Sequence, residues 1–332
     1  MTYTEILKEL KNKIYKPIYF LFGEEPYFID KITDYIADNV LNESEKAFNQ
    51  ITLYGKDSQI EEIINSAKRF PMMANYQVLI VKEAQNLKNI EKLAFYAEQP
   101  LKSTILVFNY KYKKLDKRTK LYKLLNKTAV VFESKKLYEN QIPAWINSYL
   151  KEKKYSADPV STQLLTDFLG TDLSKISNEL DKLMISLPEG TKINPEHIEK
   201  NIGISKDFNN FELQNALINR DVLKANRIIQ HFAHNPKDNP IILTTITLFS
   251  FFSKILSYHF LQDKNKNNVA SVLKINPYFV KDYIKAAKVY NIRKTVAVIS
   301  LLREYDMKAK GYNNASTSHE DLLKELIFKI LH

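Results

Sequence analysis

The chain has 332 residues, 45% of them hydrophobic and 26% charged, which is an ordinary globular composition with length for two or three domains, since single cores stop growing near ~250–300 residues. It contains no cysteine, which excludes disulfides, thiolate metal sites and a cysteine nucleophile and makes a reducing cytoplasm its natural home. The net charge of +11 suits a polyanionic partner such as nucleic acid, although solubility accounts for it almost as well.

Residues 1–14 carry charge every few positions and lack the apolar core of a secretory signal. The next segment, 17–30, reads PIYFLFGEEPYFID: a short apolar strand, one glycine, two acids and the start of a helix. A phosphate-binding turn at this place needs G-x-x-x-x-G-K-[ST], because backbone N–H groups, a lysine and a hydroxyl must surround phosphate and magnesium. Here Gly23 stands alone before Glu24, Glu25 and Pro26. Two carboxylates repel a triphosphate, and proline removes a donor. The turn has the shape of a nucleotide site without its chemistry.

Further strands are expected at 50–53, 77–81, 104–108 and 129–132, after the first at 18–22. Each is a short apolar or β-branched run, the pattern of a strand covered on both faces. A helix is expected over 58–70, with Ile60, Ile63, Ile64 and Ala67 on one face. This alternation predicts a parallel five-stranded sheet with right-handed crossovers. Beyond 138 no strand is expected. Helices are read at 141–151 (entered through Pro143 and carrying Trp145), 159–169, 174–185 and 194–202, with a turn at 187–191 and a boundary near 203–210. Further helices follow at 211–219, 221–231, 240–261, 269–273, 277–290, 292–308 and 319–331. The expected division is therefore an α/β domain over 1–138, a small helical domain over 139–205 and a larger helical domain over 206–332. Residues 241–261 match a membrane span in length, but Lys254, His259 and several Ser and Thr favour a core helix.

None of the polar constellations makes an active site. Gly55-Lys56-Asp57-Ser58 follows a strand but lacks the upstream glycine, and reads as a turn. Lys82-Glu83 ends the third strand, where an ATPase of this topology holds magnesium; Glu83 is at most a relic, with lysine in place of the neighbouring acid. Asn109 ends the fourth strand, where a γ-phosphate sensor often stands, and a cap or turn residue is the plainer reading. His231 and His234 share a helical face without a third ligand of the right type. No cofactor and no metal are expected.

Two features point to partners. The run 111–127, KYKKLDKRTKLYKLLNK, follows Tyr110 and includes Tyr112. It reads either as a phosphate-backbone contact, with Lys113, Lys114, Lys117 and Arg118 as candidates, or as a solvated helix with Leu115, Leu121, Leu124 and Leu125 facing inward. Phe70-Pro71-Met72-Met73 ends the second helix, since proline cannot continue it. Its methionines either make an adaptable contact for a partner's apolar pocket or pack inward over the sheet edge.

PIYFLFGEEPYFID, AKRFPMMANYQVLIVKEAQNL, STILVF followed by KKLDKRTKLYKLL, TDLSKISNELDKL and LLREYDMKAKGY occur in this order along essentially the whole chain. Together they resemble the delta-subunit family of bacterial DNA polymerase III clamp loaders. The resemblance implies a degenerate AAA+ domain with a RecA-like parallel sheet, then a helical lid and an all-α collar. It implies a non-catalytic, cytoplasmic subunit of a DNA-directed DNA polymerase (nucleotidyltransferase) holoenzyme that binds no nucleotide. It also implies that the subunit opens one interface of the ring-shaped sliding clamp (beta) during DNA replication. The partners implied are the clamp, the tau/gamma and delta-prime loader subunits, and primed DNA within the assembled complex, with no membrane. The family inserts two adjacent hydrophobic residues into the clamp; these match Met72 and Met73, with Phe70 and Pro71 supporting the loop. Met73 stands where the family often has an aromatic. The competing readings are a DNA-dependent ATPase motor, which must bind nucleotide, and a stand-alone nucleic-acid-binding module, which must bind DNA tightly by itself.

Overall fold

In the computed structural model, which describes residues 1–314 and 316–332, the chain separates into two units, Met1–Leu137 and Tyr138–His332. In the first unit, β1 (Ile18–Gly23), β2 (Gln50–Tyr54), β3 (Gln77–Lys82), β4 (Thr104–Lys111) and β5 (Val130–Ser134) form one parallel sheet in the order β2–β3–β4–β1–β5. It is flanked by α1 (Tyr3–Lys11), α2 (Pro26–Asn39), α3 (Glu43–Asn49), α4 (Ile60–Ala67), α5 (Leu93–Ala97) and α6 (Lys120–Thr128).

The alternation of side chains across a strand divides the apolar runs between two layers. Phe20, Phe22, Leu79, Val81, Leu106 and Phe108 meet Ile60 and Ile63 of α4, Leu93 of α5 and Leu121 and Leu125 of α6. Tyr19, Leu21, Val78, Ile80, Ile105 and Val107 meet Ile6 and Leu10 of α1 and Ile29, Ile32 and Ile36 of α2. Each fully buried Leu, Ile or Phe contributes roughly 1.5–3 kcal/mol. Two-sided burial of β1, β3 and β4 therefore dominates the stability of this unit.

Three readings are corrected here. The strand at 50–53 is not covered on both faces: β2 is an edge strand, with Ile51, Thr52 and Tyr54 exposed. The helix expected over 58–70 stops at Ala67. The basic run is not one helix: Lys111 ends β4, drawn into the sheet by pairing with Gly23, residues 112–119 form a loop, and only Lys120–Thr128 are helical.

The parallel ends of β1 and β5 come close at Gly23, which has φ +133°; a Cβ there would lie 2.0 Å from the carbonyl oxygen of Ser134. Both the backbone conformation and the approach require glycine. Gly23→Ala is expected to cost about 3 kcal/mol or more, read as a fall in the urea midpoint at unchanged m value. An unshifted midpoint contradicts this account.

The second unit contains α7 (Ile142–Glu152), α8 (Pro159–Leu169), α9 (Leu173–Ile185), α10 (Pro195–Ile202), α11 (Asn210–Asn219), α12 (Val222–His234), α13 (Ile241–Phe260), α14 (Lys266–Leu273), α15 (Val280–Val289), α16 (Ile292–Ala309) and α17 (His319–Leu331). The expectation of no strand beyond 138 is also corrected. Two two-residue strands, β6 (Ser156–Ala157) and β7 (Lys192–Ile193), pair in parallel. They are too short to carry a periodicity. Among the described residues, α13 has the length and composition to cross a membrane, but Leu248, Phe251, Phe252 and Ile255 on one side pack into a shared core with Phe232, Tyr290, Leu302 and Leu326.

One carboxyl in this unit works against it at neutral pH. Asp167 of α8 accepts a 2.7 Å hydrogen bond from the Gln163 amide, with Glu139 and Lys254 as its charged surroundings and the Tyr283 hydroxyl within electrostatic reach. Burial outweighs the Gln163 bond and pushes the carboxyl up to about 7 from its ordinary 3.8. Between those values the folded chain holds a proton that the unfolded chain has lost. Its contribution is therefore full below the unfolded value and is lost as pH rises through the folded one. Asp167→Asn keeps the acceptor without the charge. It is expected to match the parent below about pH 4 and to exceed it by up to about 4 kcal/mol above pH 7. Urea unfolding at both pH values checks this, and equal differences at the two would contradict it.

Candidate functional site

The loop between α4 and β3 carries Phe70-Pro71-Met72-Met73. Ile60, Ile63 and Ala67 seat α4 on the sheet, and its last carbonyls have no next turn to supply donors. Side chains from the sheet and α5 supply them instead. Thr104, opening β4, donates from Oγ1 to the Ala67 carbonyl at 2.8 Å, and the Tyr96 hydroxyl reaches the same oxygen at 3.2 Å. Gln77, opening β3, donates from Nε2 to the Arg69 carbonyl at 2.5 Å and to Thr104 Oγ1 at 2.7 Å. Beyond this point the chain is held by Asn49, the last residue of α3. Its Oδ1 accepts from the Met72 N–H at 2.6 Å, and its Nδ2 donates to the Met72 carbonyl at 2.9 Å. On the return path Ala74 and Tyr76 pack against the layer formed with α1 and α2, Tyr76 edge-on to Tyr15 at 5.4 Å.

The loop is thus fixed through its backbone, and its apolar side chains point away. Phe70 is 78% exposed, Met72 54% and Met73 98%, while Pro71 is half-buried. The methionines do not pack over the sheet edge. Met73 has φ +52°, in the left-handed region. Lys68, Arg69 and Phe48 are also exposed around the loop. Asn49 and Gln77 are the residues that sequence reasoning missed. Asn49 closes a polar helix and Gln77 opens an apolar strand, and their partners lie far enough along the chain that no local pattern announces them.

The other candidate region is the carboxyl edge of the sheet. Glu25 is buried there as the N-cap of α2, its carboxylate accepting from the Tyr27 N–H at 3.1 Å. Ser134 ties the same turn to β5: its Oγ donates to the Glu25 carbonyl at 2.6 Å, and its own carbonyl accepts from the Glu25 N–H at 3.3 Å. The first turn of α2 therefore presents a capping carboxylate and Pro26 where a phosphate would need N–H donors. Glu24 is paired with Lys114 at 3.1 Å. The turn is filled by its own partners; it is not a pair of free, repelling carboxylates.

Four further cations of the 111–118 segment are bonded as well. Lys111 meets Asp30 at 2.6 Å, Lys117 meets Glu133 at 2.8 Å and Arg118 meets Asp116 at 2.9 Å. Lys113 donates to the Gln85 carbonyl at 3.2 Å. Lys117 holds the Glu133 carboxyl below its ordinary value, and Arg118 does the same to Asp116. Lys113, Lys114, Lys117 and Arg118 thus occupy one loop, each bonded within its own unit.

The other candidates are structural. Asn109 does not end its strand; it is buried within β4, and its Oδ1 accepts from Thr33 Oγ1 at 2.8 Å. Glu83 follows β3 in the left-handed region, with its carbonyl where a Cβ on Gly55 would lie 2.4 Å away. In the turn at Gly55, the Asp57 N–H donates to the Tyr54 carbonyl at 3.0 Å. His231 stacks on Phe208 and His234 bonds to the Gln230 carbonyl. Among the described residues no group of His, Asp and Glu is placed to hold a metal ion.

The comparisons with known proteins agree along both units. The family model described as DNA polymerase III, delta subunit, matches residues 19–135, and that of the DNA polymerase III delta subunit, C-terminal domain, matches residues 207–328. DNA polymerase III subunit delta of Bacillus subtilis is 26% identical over 319 residues, covering 92% of this chain and 91% of that protein. The solved structure of the Bacillus subtilis DNA clamp loader delta protein covers 99% of each chain with a TM-score of 0.55 at 23% identity, and shows the shared fold. With the sheet-bearing unit and the helical unit each matched by a model of one family, the chain belongs to the DNA polymerase III delta-subunit family.

Proposed function

We propose that this chain is the clamp-loader subunit that grips the sliding clamp (beta) and opens one of its interfaces, so that the ATPase subunits can place it on primed DNA. The observation that carries this reading is the pair Met72 and Met73, exposed on a loop whose backbone is bonded at Arg69 and Met72. Burying a methionine side chain yields roughly 1.5–3 kcal/mol, and its flexible thioether fits irregular pockets. Two such anchors supply ample affinity for a docked partner. Opening requires more than affinity: the loop must fit the open clamp better than the closed one, because only differential binding shifts an equilibrium. In this reading the subunit performs no chemistry and takes no cofactor.

The division we propose is a degenerate AAA+ clamp-binding domain over 1–138, a lid over 139–205 and a collar over 206–332 that joins the tau/gamma and delta-prime subunits in the cytoplasm. Glu25 as a cap on α2 and Glu24 paired with Lys114 support the absence of nucleotide binding. DNA contact through Lys113, Lys114, Lys117 and Arg118 requires phosphates to displace the present partners. Tight grip on DNA is therefore expected only inside the assembled loader.

Met72→Ala combined with Met73→Ala is expected to weaken binding to the cognate clamp ~100-fold, with unfolding free energy changed by no more than ~0.5 kcal/mol. Surface-immobilised clamp measures the first and urea unfolding the second; a double variant that binds like the parent removes the site. Titration calorimetry with MgATP at millimolar concentration is expected to give no saturable heat. A measurable affinity would turn the reading toward an ATPase.

A further inference from the structure

Two flexible side chains on an unsupported loop would sample many directions, and holding them would draw on the binding energy. Here one buried side chain carries the support. Asn49 is 3% exposed. Its amide accepts from the N–H of Met72 at 2.6 Å and donates to the carbonyl of the same residue at 2.9 Å. The donor nitrogen also lies 3.1 Å from the Glu45 carbonyl in the last turn of α3. A carboxamide offers an acceptor and a donor side by side, so it pairs with Met72 as a neighbouring strand would. The next residue, Met73, is held in the left-handed region at φ +52°. That conformation costs about 1–2 kcal/mol for a residue with a Cβ and persists only where the surroundings impose it. The two hydrogen bonds from Asn49 fix the preceding residue, Met72, at both its N–H and its carbonyl.

We infer that Asn49 is a positioning residue for clamp binding, an inference that rests on the reading of Met72 and Met73 as clamp contacts. Asn49 sets the Met72 backbone and the left-handed turn at Met73 before the partner arrives. The two thioethers are then delivered as one preformed anchor. Gln77 secures the loop upstream at Arg69, so removal of Asn49 frees the tip and leaves α4 capped. Asn49 is buried and bonds to main-chain groups of Met72, so in this reading it acts through that backbone.

The test is a double-mutant cycle on the full chain, with equilibrium binding to the cognate clamp as readout. Asn49→Ala removes both bonds. Asn49→Asp keeps the shape and the acceptor, but sets a carboxylate against the Met72 carbonyl. Each is expected to weaken binding ~10-fold with Met72 and Met73 intact. The decisive result is non-additivity. Met73→Ala is expected to cost ~10-fold in the parent and less than ~3-fold once Asn49 is replaced, because a mispositioned anchor has little left to lose. Hydrogen exchange on the free chain should show lost protection at the Met72 amide, with β1, β3 and β4 still protected. An undiminished Met73→Ala penalty in the Asn49 variants overturns the inference. So does parent-like binding by Asn49→Ala while Met72→Ala with Met73→Ala still weakens it. If both Asn49 variants fail to fold, the residue serves folding and the inference falls. If the methionine double variant itself binds like the parent, the clamp reading fails first, and this inference with it.

Discussion

Buried polar side chains from α3, α5 and the starts of β3 and β4 take the main-chain groups that the end of α4 leaves unpaired, and the geometry of the exposed loop follows from them. Thr104 and Tyr96 satisfy Ala67, Gln77 satisfies Arg69, and Asn49 satisfies both groups of Met72. A buried backbone group without a partner costs about 1–3 kcal/mol, so these contacts leave the loop little freedom to refold against the sheet. With the backbone fixed from inside, the side chains of Phe70, Met72 and Met73 have nowhere to go but outward. An apolar surface of this kind is stable in water only because the energy that holds its backbone comes from elsewhere.

The same principle, opposite in effect, governs the carboxyl edge of the sheet. In parallel α/β sheets this edge is where ligands ordinarily bind, because helix N-termini and loop donors converge there. Here the donors and charges converge on one another. Glu25 caps α2, Ser134 binds the turn of Glu25, and Glu24, Asp30 and Glu133 each hold a lysine. These ion pairs are exposed enough that each adds little to stability. Their effect is occupancy. An exposed apolar surface of the unit lies instead on the loop after α4.

The helical unit is ordered by a different balance. Its core is aromatic-rich, with Phe251, Phe252, Tyr283 and Tyr290 meeting edge to face or tilted around α13. Asp167 stands partly buried beside this core, with Lys254 as a charged neighbour but no ion pair to it among the described residues. A group so placed is retained at a cost to stability that grows with pH.

Much of the frame is legible in the residues. The runs at Ile18, Gln77 and Thr104 are apolar enough that only a doubly covered strand accommodates them. The ends of α8 and α17 coincide with those read from the chain, because Asp158 before Pro159, and Ser318 three residues before Asp321, are local capping signals. Lone Gly23 among acids speaks against a phosphate loop without any coordinates. Other features depend on neighbours distant in sequence. β2 reads like an interior strand, and only strand order makes it an edge. Lys111 to Arg118 read like a helix until β1 recruits Lys111 and acids from three segments claim the lysines. The methionines were compatible with burial or exposure until Asn49 and Gln77, 23 and 8 residues away from the main-chain groups they hold, set the loop. The sequence by itself determined the composition of each layer, because burial follows local periodicity. Tertiary structure alone decided which polar groups meet, because hydrogen bonds between distant segments leave no periodic trace.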